Sequence, residues 1–219
     1  MKVVYLKGFS TNNEELEFIK NKFNDNNIDF INLVNNYSEF YNKSKEEIWT
    51  ILAKRIHNIT WQTEQVTLVC HSMGCNYGLL FNDGLSLIKN VIFISPEFEK
   101  ITKEEKAKIE KSTRKITKEP SHMSFNIKNL KNLSAFMTSV KWIPEQLEYY
   151  LNNGGTPFTT ILYSKGDKFV SRRIIKKMSE YDNINSYEID TNNHNPLLED
   201  TNCIDIIIKE TEKLDNLKR

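Results

Sequence analysis

The sequence predicts an α/β architecture: a doubly wound, mainly parallel six-stranded sheet flanked by helices, with a helical cap inserted between two core strands. Three observations carry this reading. Short apolar runs of β-formers alternate with segments that are apolar at the 3.6-residue spacing of an amphipathic helix. One such run, Val66-Thr67-Leu68-Val69, passes into a helix-like segment through Cys70-His71-Ser72-Met73-Gly74. The alternation then stops over residues 97–153, where no strand-like run occurs and no glycine stands between Gly84 and Gly154.

Taken in order, Val3-Val4-Tyr5-Leu6 reads as a buried parallel strand and Lys7-Gly8-Phe9-Ser10 as a loop. Thr11 and Glu14 have the spacing of a capping box, opening a helix whose inner face is Leu16, Ile19 and Phe23. Residues 28–34 are the second strand. Ser44 and Glu47 form a second capping box, ahead of Ile48, Leu52, Ile56 and Ile59 at helical spacing. A helix over 75–81 follows the strand at 66–69, and the next strand is Val91-Ile92-Phe93-Ile94. Inside the insertion, Thr102 and Glu105 make a third capping box, and 130–137 and 144–151 are helical. Gly154-Gly155-Thr156-Pro157 punctuates the return to the sheet. A strand over 159–163, a helix over 171–178, a strand over 186–189 and a last helix with Ile204, Ile207, Ile208, Thr211 and Leu214 inward complete the chain.

At 219 residues the chain suits a single domain, residues 1–219, with the cap at 97–153 inside it. A hydrophobic content of 39% is that of a globular protein, and a net charge of +1 asks for neither nucleic acid nor an anionic membrane as partner. The N-terminus is charged too early for a signal peptide, and no apolar run approaches the ~20 residues of a membrane helix. Cys70, Cys75 and Cys203 have no metal or redox spacing, and there is no H-E-x-x-H. The expectation is a cytoplasmic protein without metal or cofactor. Oligomeric state is left open.

The chemistry centres on Ser72. A serine at a sharp strand-to-helix turn needs small residues two positions either side; this is the nucleophile elbow, G-x-S-x-G. Such a serine requires an acid and then a histidine later in the chain, each just past a strand. Asp167 follows the strand at 159–163 through Ser164-Lys165-Gly166, and His194 follows the strand at 186–189 within Asn192-Asn193-His194-Asn195-Pro196. Of the four histidines, His57, His71, His122 and His194, only the last follows Asp167. Glu97 and Glu99, after the strand at 91–94, are competing acids, and Ser72 as a mere helix cap is the competing use of the turn. Cys70 stands where the first glycine is usual.

With Ser72, Asp167 and His194 in that order, the chain resembles the α/β-hydrolase superfamily, in a short form that begins at the family's third strand. The resemblance implies a serine hydrolase, with Ser72 as nucleophile, His194 as base and Asp167 as its orienter. It implies an ester or thioester cleaved through an acyl-enzyme, and an oxyanion hole from the N–H groups of Met73 and of the loop after the first strand, where Phe9 is favoured over Ser10. Gly8 and His71 adjoin that site. Met123, Phe125, Phe136, Met137 and Trp142 are candidates for the substrate pocket or for glue between cap and core. The small-molecule partner expected is an acyl ester or thioester. Acyl transfer from the same intermediate, and a non-catalytic binding protein on the same fold, are the other functions the pattern allows.

Overall fold

The strands and helices of the structure, a computed structural model, run β1 (Lys2–Leu6), α1 (Asn13–Asp25), β2 (Asp29–Asn32), α2 (Lys45–Ile59), β3 (Val66–His71), α3 (Met73–Gly78), β4 (Ile88–Ile94), α4 (Ile143–Asn152), β5 (Phe158–Ser164), α5 (Arg172–Met178), β6 (Ile184–Ile189) and α6 (Asn202–Leu217). The structure describes residues 1–8, 11–41, 43–60, 65–83, 86–98, 142–152, 158–200 and 202–217. The six strands form one sheet in the order β2-β1-β3-β4-β5-β6. Every pairing is parallel.

Parallel strands need a covering layer on each face, and the residues alternate accordingly. Val4 and Leu6 point to one face, whose core cluster also holds Ile48, Leu52 and Ile56 of α2, Tyr77 of α3, Tyr150 of α4 and Ile175 of α5. Val3 and Tyr5 point to the other, against Ile19 and Phe23 of α1 and Ile204 and Ile207 of α6. β3 is buried at every position. The chain goes outward from β1 to β2, then crosses back to β3 on the other side of β1. The C-terminal ends of β1 and β3 therefore flank the point where the winding reverses, which is where such sheets leave a crevice.

Several boundaries differ from the sequence expectation. The first capping box is one residue later: Asn12 Oδ1 accepts from Glu15 N–H at 2.9 Å, and Glu15 returns the bond to Asn12 N–H at 3.2 Å. Thr11 is occupied elsewhere, its N–H donating to Gly8 O and its carbonyl accepting from Lys7 Nζ. The box at Ser44 and Glu47 forms as read. β2 is only Asp29–Asn32, and α3 tightens after Gly78 into a 3-10 turn, Leu79–Asp83.

Of the expected cap, the structure describes only Glu97, Phe98 and residues 142–152. The box at Thr102 and the helix over 130–137 lie outside the described residues. The last helix of that span, α4, packs as part of the core layer. Its Leu147, Tyr150 and Leu151 are buried with Phe93 and Ile161, Gln146 Nε2 donates to Leu79 O at 3.1 Å, and the Tyr150 hydroxyl bonds to Thr159. Among the described residues no helix is long and apolar enough to cross a membrane.

Candidate active site

Ser72 joins β3 to α3 in a backbone conformation that side chains rarely adopt, φ 50° and ψ −119°. Such a residue costs on the order of 1–3 kcal/mol and persists only where its surroundings over-determine it. Here they do. Ser72 N–H donates to Ile94 O at 2.8 Å, and Cys75 N–H donates to Ser72 O at 2.9 Å. The turn also presses α3 onto the end of β1. A Cβ on Gly74 would collide with the Leu6 carbonyl and lie 2.9 Å from Lys7 O. Cys70 takes the place of a glycine because α3 leaves room for it at Gly78, where a Cβ would come within 2.7 Å of Cys70 Sγ. Both thiols are buried, and burial pushes Cys70 and Cys75 well above the usual thiol range.

Asp167 and His194 reach the same rim from the ends of β5 and β6. Their two loops are laced together: Lys165 N–H donates to Ile189 O at 2.8 Å, Gly166 N–H to Thr191 O at 3.1 Å, and Ser164 Oγ to Asn193 O. Asp167 uses both carboxylate oxygens. Oδ1 accepts from Phe169 N–H at 2.8 Å, and Oδ2 lies 2.7 Å from His194 Nδ1. A carboxylate only accepts, so Nδ1 carries a proton and the Nε2 edge of the ring turns away from Asp167. Phe169 stands edge-on to the imidazole, centroids 5.3 Å apart.

The Nε2 edge meets Glu97. Its Oε1 lies 3.3 Å from His194 Nε2 and accepts from the Ser72 hydroxyl, also at 3.3 Å. Thus Asp167, rather than Glu97, holds the Nδ1 side of the ring, and Glu97 stands on the Nε2 side, next to the Ser72 hydroxyl. The sequence marks Glu97 only by its place just beyond the C-terminal end of β4, next to β3 in the sheet.

Burial pushes the His194 pKa down, but the Asp167 hydrogen bond and the charges of Glu97 and Asp167 outweigh it, and the net shift is upward. Glu97 moves up as well: burial and the Asp167 charge raise its pKa against the pull of His194. His71 goes the other way. Burial, with repulsion from His194, lowers it to about 3. His71 is therefore neutral, and its Nε2–H donates to the carbonyl of His194 at 3.3 Å, since a carbonyl only accepts.

The remaining residues named from sequence divide as follows. His71 is 4% exposed and ties the Ser72 turn to the His194 loop. Gly8 lies against it; a Cβ there would stand 2.6 Å from His71 Nδ1. Met73 is the first residue of α3 and is buried. Trp142 is half-buried against the core, its ring 6.5 Å from that of Tyr77. Phe9, Met123, Phe125, Phe136 and Met137 lie outside the described residues.

No family model matches the sequence, and no curated protein matches it. Solved structures do match in shape. A carboxylesterase structure from the thaumarchaeon Nitrososphaera gargenis superposes with a TM-score of 0.69 at 12% identity, over 98% of this chain and 91% of that one. An α/β-hydrolase enzyme from a lagoon-sediment metagenome gives 0.64 at 14% identity, over 98% and 91%. The thioesterase domain from the curacin biosynthetic pathway gives 0.63 at 12% identity, over 94% and 90%. At such identities the likeness is one of fold.

Proposed function

The chain has the α/β-hydrolase fold, and we propose that it is a serine hydrolase cleaving a carboxylic ester or thioester through an acyl-enzyme on Ser72. The observation that carries this reading is the left-handed Ser72 at the end of β3, on the rim where His194 Nδ1 meets Asp167 at 2.7 Å. A helix cap needs no such backbone; a nucleophile that must stand clear of the sheet does. The neighbours named as a carboxylesterase and a thioesterase share the fold, which makes acyl esters and thioesters the first substrates to try.

In this reading Ser72 Oγ attacks the acyl carbonyl carbon while His194 Nε2 takes the hydroxyl proton. Asp167 holds the ring with its proton on Nδ1 and stabilises the imidazolium. The carbonyl oxygen becomes an oxyanion, for which the Met73 N–H in the first turn of α3 and the Phe9 N–H after Gly8 are the assigned donors. Nε2–H then protonates the departing alkoxide or thiolate. Water repeats the sequence on the acyl-enzyme, releasing the acid. The part of residues 97–153 that precedes α4 is the assigned cover, with Met123, Phe125, Phe136 and Met137 as its apolar contribution, while Trp142 packs against the core.

A fluorophosphonate probe tests the assignment. It is expected to label Ser72 in the wild type and nothing in Ser72→Ala, with ester turnover lost in parallel. Turnover surviving in Ser72→Ala would end the proposal. Because the His194 pKa lies above its ordinary value near 6.5, the wild-type rate is expected to rise with pH through a midpoint above 6.5, where Nε2 loses its proton.

A further inference from the structure

The oxygen that most needs explaining is Glu97 Oε1, at 3.3 Å from both Ser72 Oγ and His194 Nε2. In acyl transfer one substrate atom must satisfy both constraints. The leaving-group oxygen or sulfur is bonded to the carbon under attack by Oγ, and must lie within hydrogen-bond reach of Nε2 to receive its proton. Glu97 places a carboxyl oxygen there, as a bound carboxylic acid product would.

Glu97 is not a loose surface residue. Two positions before it, Ser95 takes a left-handed turn (φ 46°) and its N–H donates to Leu162 O at 2.8 Å. One position after it, Phe98 is 2% exposed and stands edge-on to Phe93, centroids 5.2 Å apart. Both neighbours are anchored, so the backbone at Glu97 stays at the site and only its side chain can swing. That side chain keeps 26% of its surface open, which is the direction from which a ligand reaches it.

We propose that Glu97 is a specificity-determining residue of the site: it holds the leaving-group position until substrate displaces it, and it admits neutral or amine-bearing acyl esters and thioesters while rejecting those with a carboxylate beside the scissile bond. The inference rests on the serine-hydrolase reading. Its electrostatic half follows from the groups that face one another here. Asp167 flanks the imidazole at Nδ1 and Glu97 at Nε2; from β3 and α3, His71 and Cys75 face this cluster, and burial keeps both neutral. Two carboxyls thus share one imidazole. A displaced Glu97 remains tethered beside the reacting carbon, and its ionised form repels a second anion there. Two unit charges about 6 Å apart at an effective dielectric near 20 differ by about a hundredfold in affinity; with the pocket partly open, about tenfold is expected.

The test uses three proteins: wild type, Glu97→Gln, which keeps the shape and removes the charge, and Glu97→Ala, which empties the position. Matched esters of one chain length carry a neutral, an amine-bearing or a carboxylate-bearing acyl group. Wild type is expected to show kcat/KM about tenfold lower for the carboxylate ester than for the neutral one, and Glu97→Gln to narrow that gap to threefold or less. Fluorophosphonate labelling of Ser72 is expected to run several-fold faster in Glu97→Ala, with its pH midpoint lowered, because the imidazolium loses an anionic neighbour. Equal use of the neutral and carboxylate esters by wild type, or an unchanged gap in Glu97→Gln, overturns the role of Glu97 while labelling at Ser72 leaves the hydrolase reading standing. No labelling of Ser72 in any of the three overturns both.

Discussion

Replacing Asp167 by asparagine is the sharpest probe of how the histidine is held, because the surrounding hydrogen bonds dictate how the new amide must sit. Oδ1 accepts from Phe169 N–H at 2.8 Å, and the side chain is 1% exposed, so no water can take over that contact. An amide inserted here keeps its oxygen towards Phe169, since the opposite orientation would bring two donors together at a cost of about 1–3 kcal/mol. Its NH2 then faces His194 Nδ1. A donor at Nδ1 forces the ring proton onto Nε2, and an Nε2 that already carries a proton cannot accept one from Ser72. In the proposed mechanism, recovering the working tautomer means leaving buried donors face to face, and the imidazolium formed in the transition state has lost its anion. The two costs together come to about 5 kcal/mol, or about 10⁴ in rate, the size seen when a protease triad suffers the same change. The assay is steady-state turnover of a short acyl ester in wild type and Asp167→Asn, with thermal unfolding to establish that both are folded. A folded Asp167→Asn protein keeping more than about a tenth of wild-type kcat would refute the tautomer argument.

Other expected outcomes follow from the same geometry. Ser72→Gly relieves the left-handed backbone that Ser72→Ala retains, so the glycine variant is expected to melt about 2–4 °C above the alanine variant, for a net gain of about 1 kcal/mol after the extra entropy of glycine. An alanine variant as stable as the glycine one would show the turn to be unstrained. His71, with its pKa depressed to about 3, binds a proton more readily unfolded than folded between pH 6.5 and 3. Its contribution is complete above pH 6.5 and lost on acidification, by about 1.4 kcal/mol per pH unit within that window. Urea midpoints from pH 7 to 4 are expected to fall less steeply in His71→Phe than in wild type, and equal slopes would mean that His71 is not held neutral by the fold. Gly74→Ala drives a methyl into the Leu6 carbonyl and is expected to destabilise by about 1–3 kcal/mol, read as a lowered urea midpoint.

Much of the architecture was legible because it rests on local pattern. The β1 run of Val3-Val4-Tyr5-Leu6, the Ser44 capping box and the inward residues of α1 and α2 are consequences of spacing along a few turns of chain, and the structure reproduces them. The capping box at Thr11 was misplaced by one residue because a threonine and an asparagine stood side by side. Only the reciprocal bonds between Asn12 and Glu15 in the folded chain show which of the two caps. The role of α4 as core rather than cover was equally out of reach, since an amphipathic helix presents the same pattern whichever surface it lies on.

The same division holds at the rim of the sheet. Residue order and flanking small residues single out Ser72, Asp167 and His194 as candidates, and the three reach one rim because each follows a strand and parallel strands end on one side. The position of Glu97 beside Ser72 and His194 was not contained in any local pattern. Asp167 and its competitor Glu97 follow two neighbouring strands, and their placement at opposite edges of one imidazole depends on strand order, on the left-handed turn at Ser95 and on the packing of Phe98 against Phe93. Those are contacts between residues far apart in the chain. Spacing sets which way a side chain leaves its own helix or strand; it carries no information about which atom of another strand it will meet.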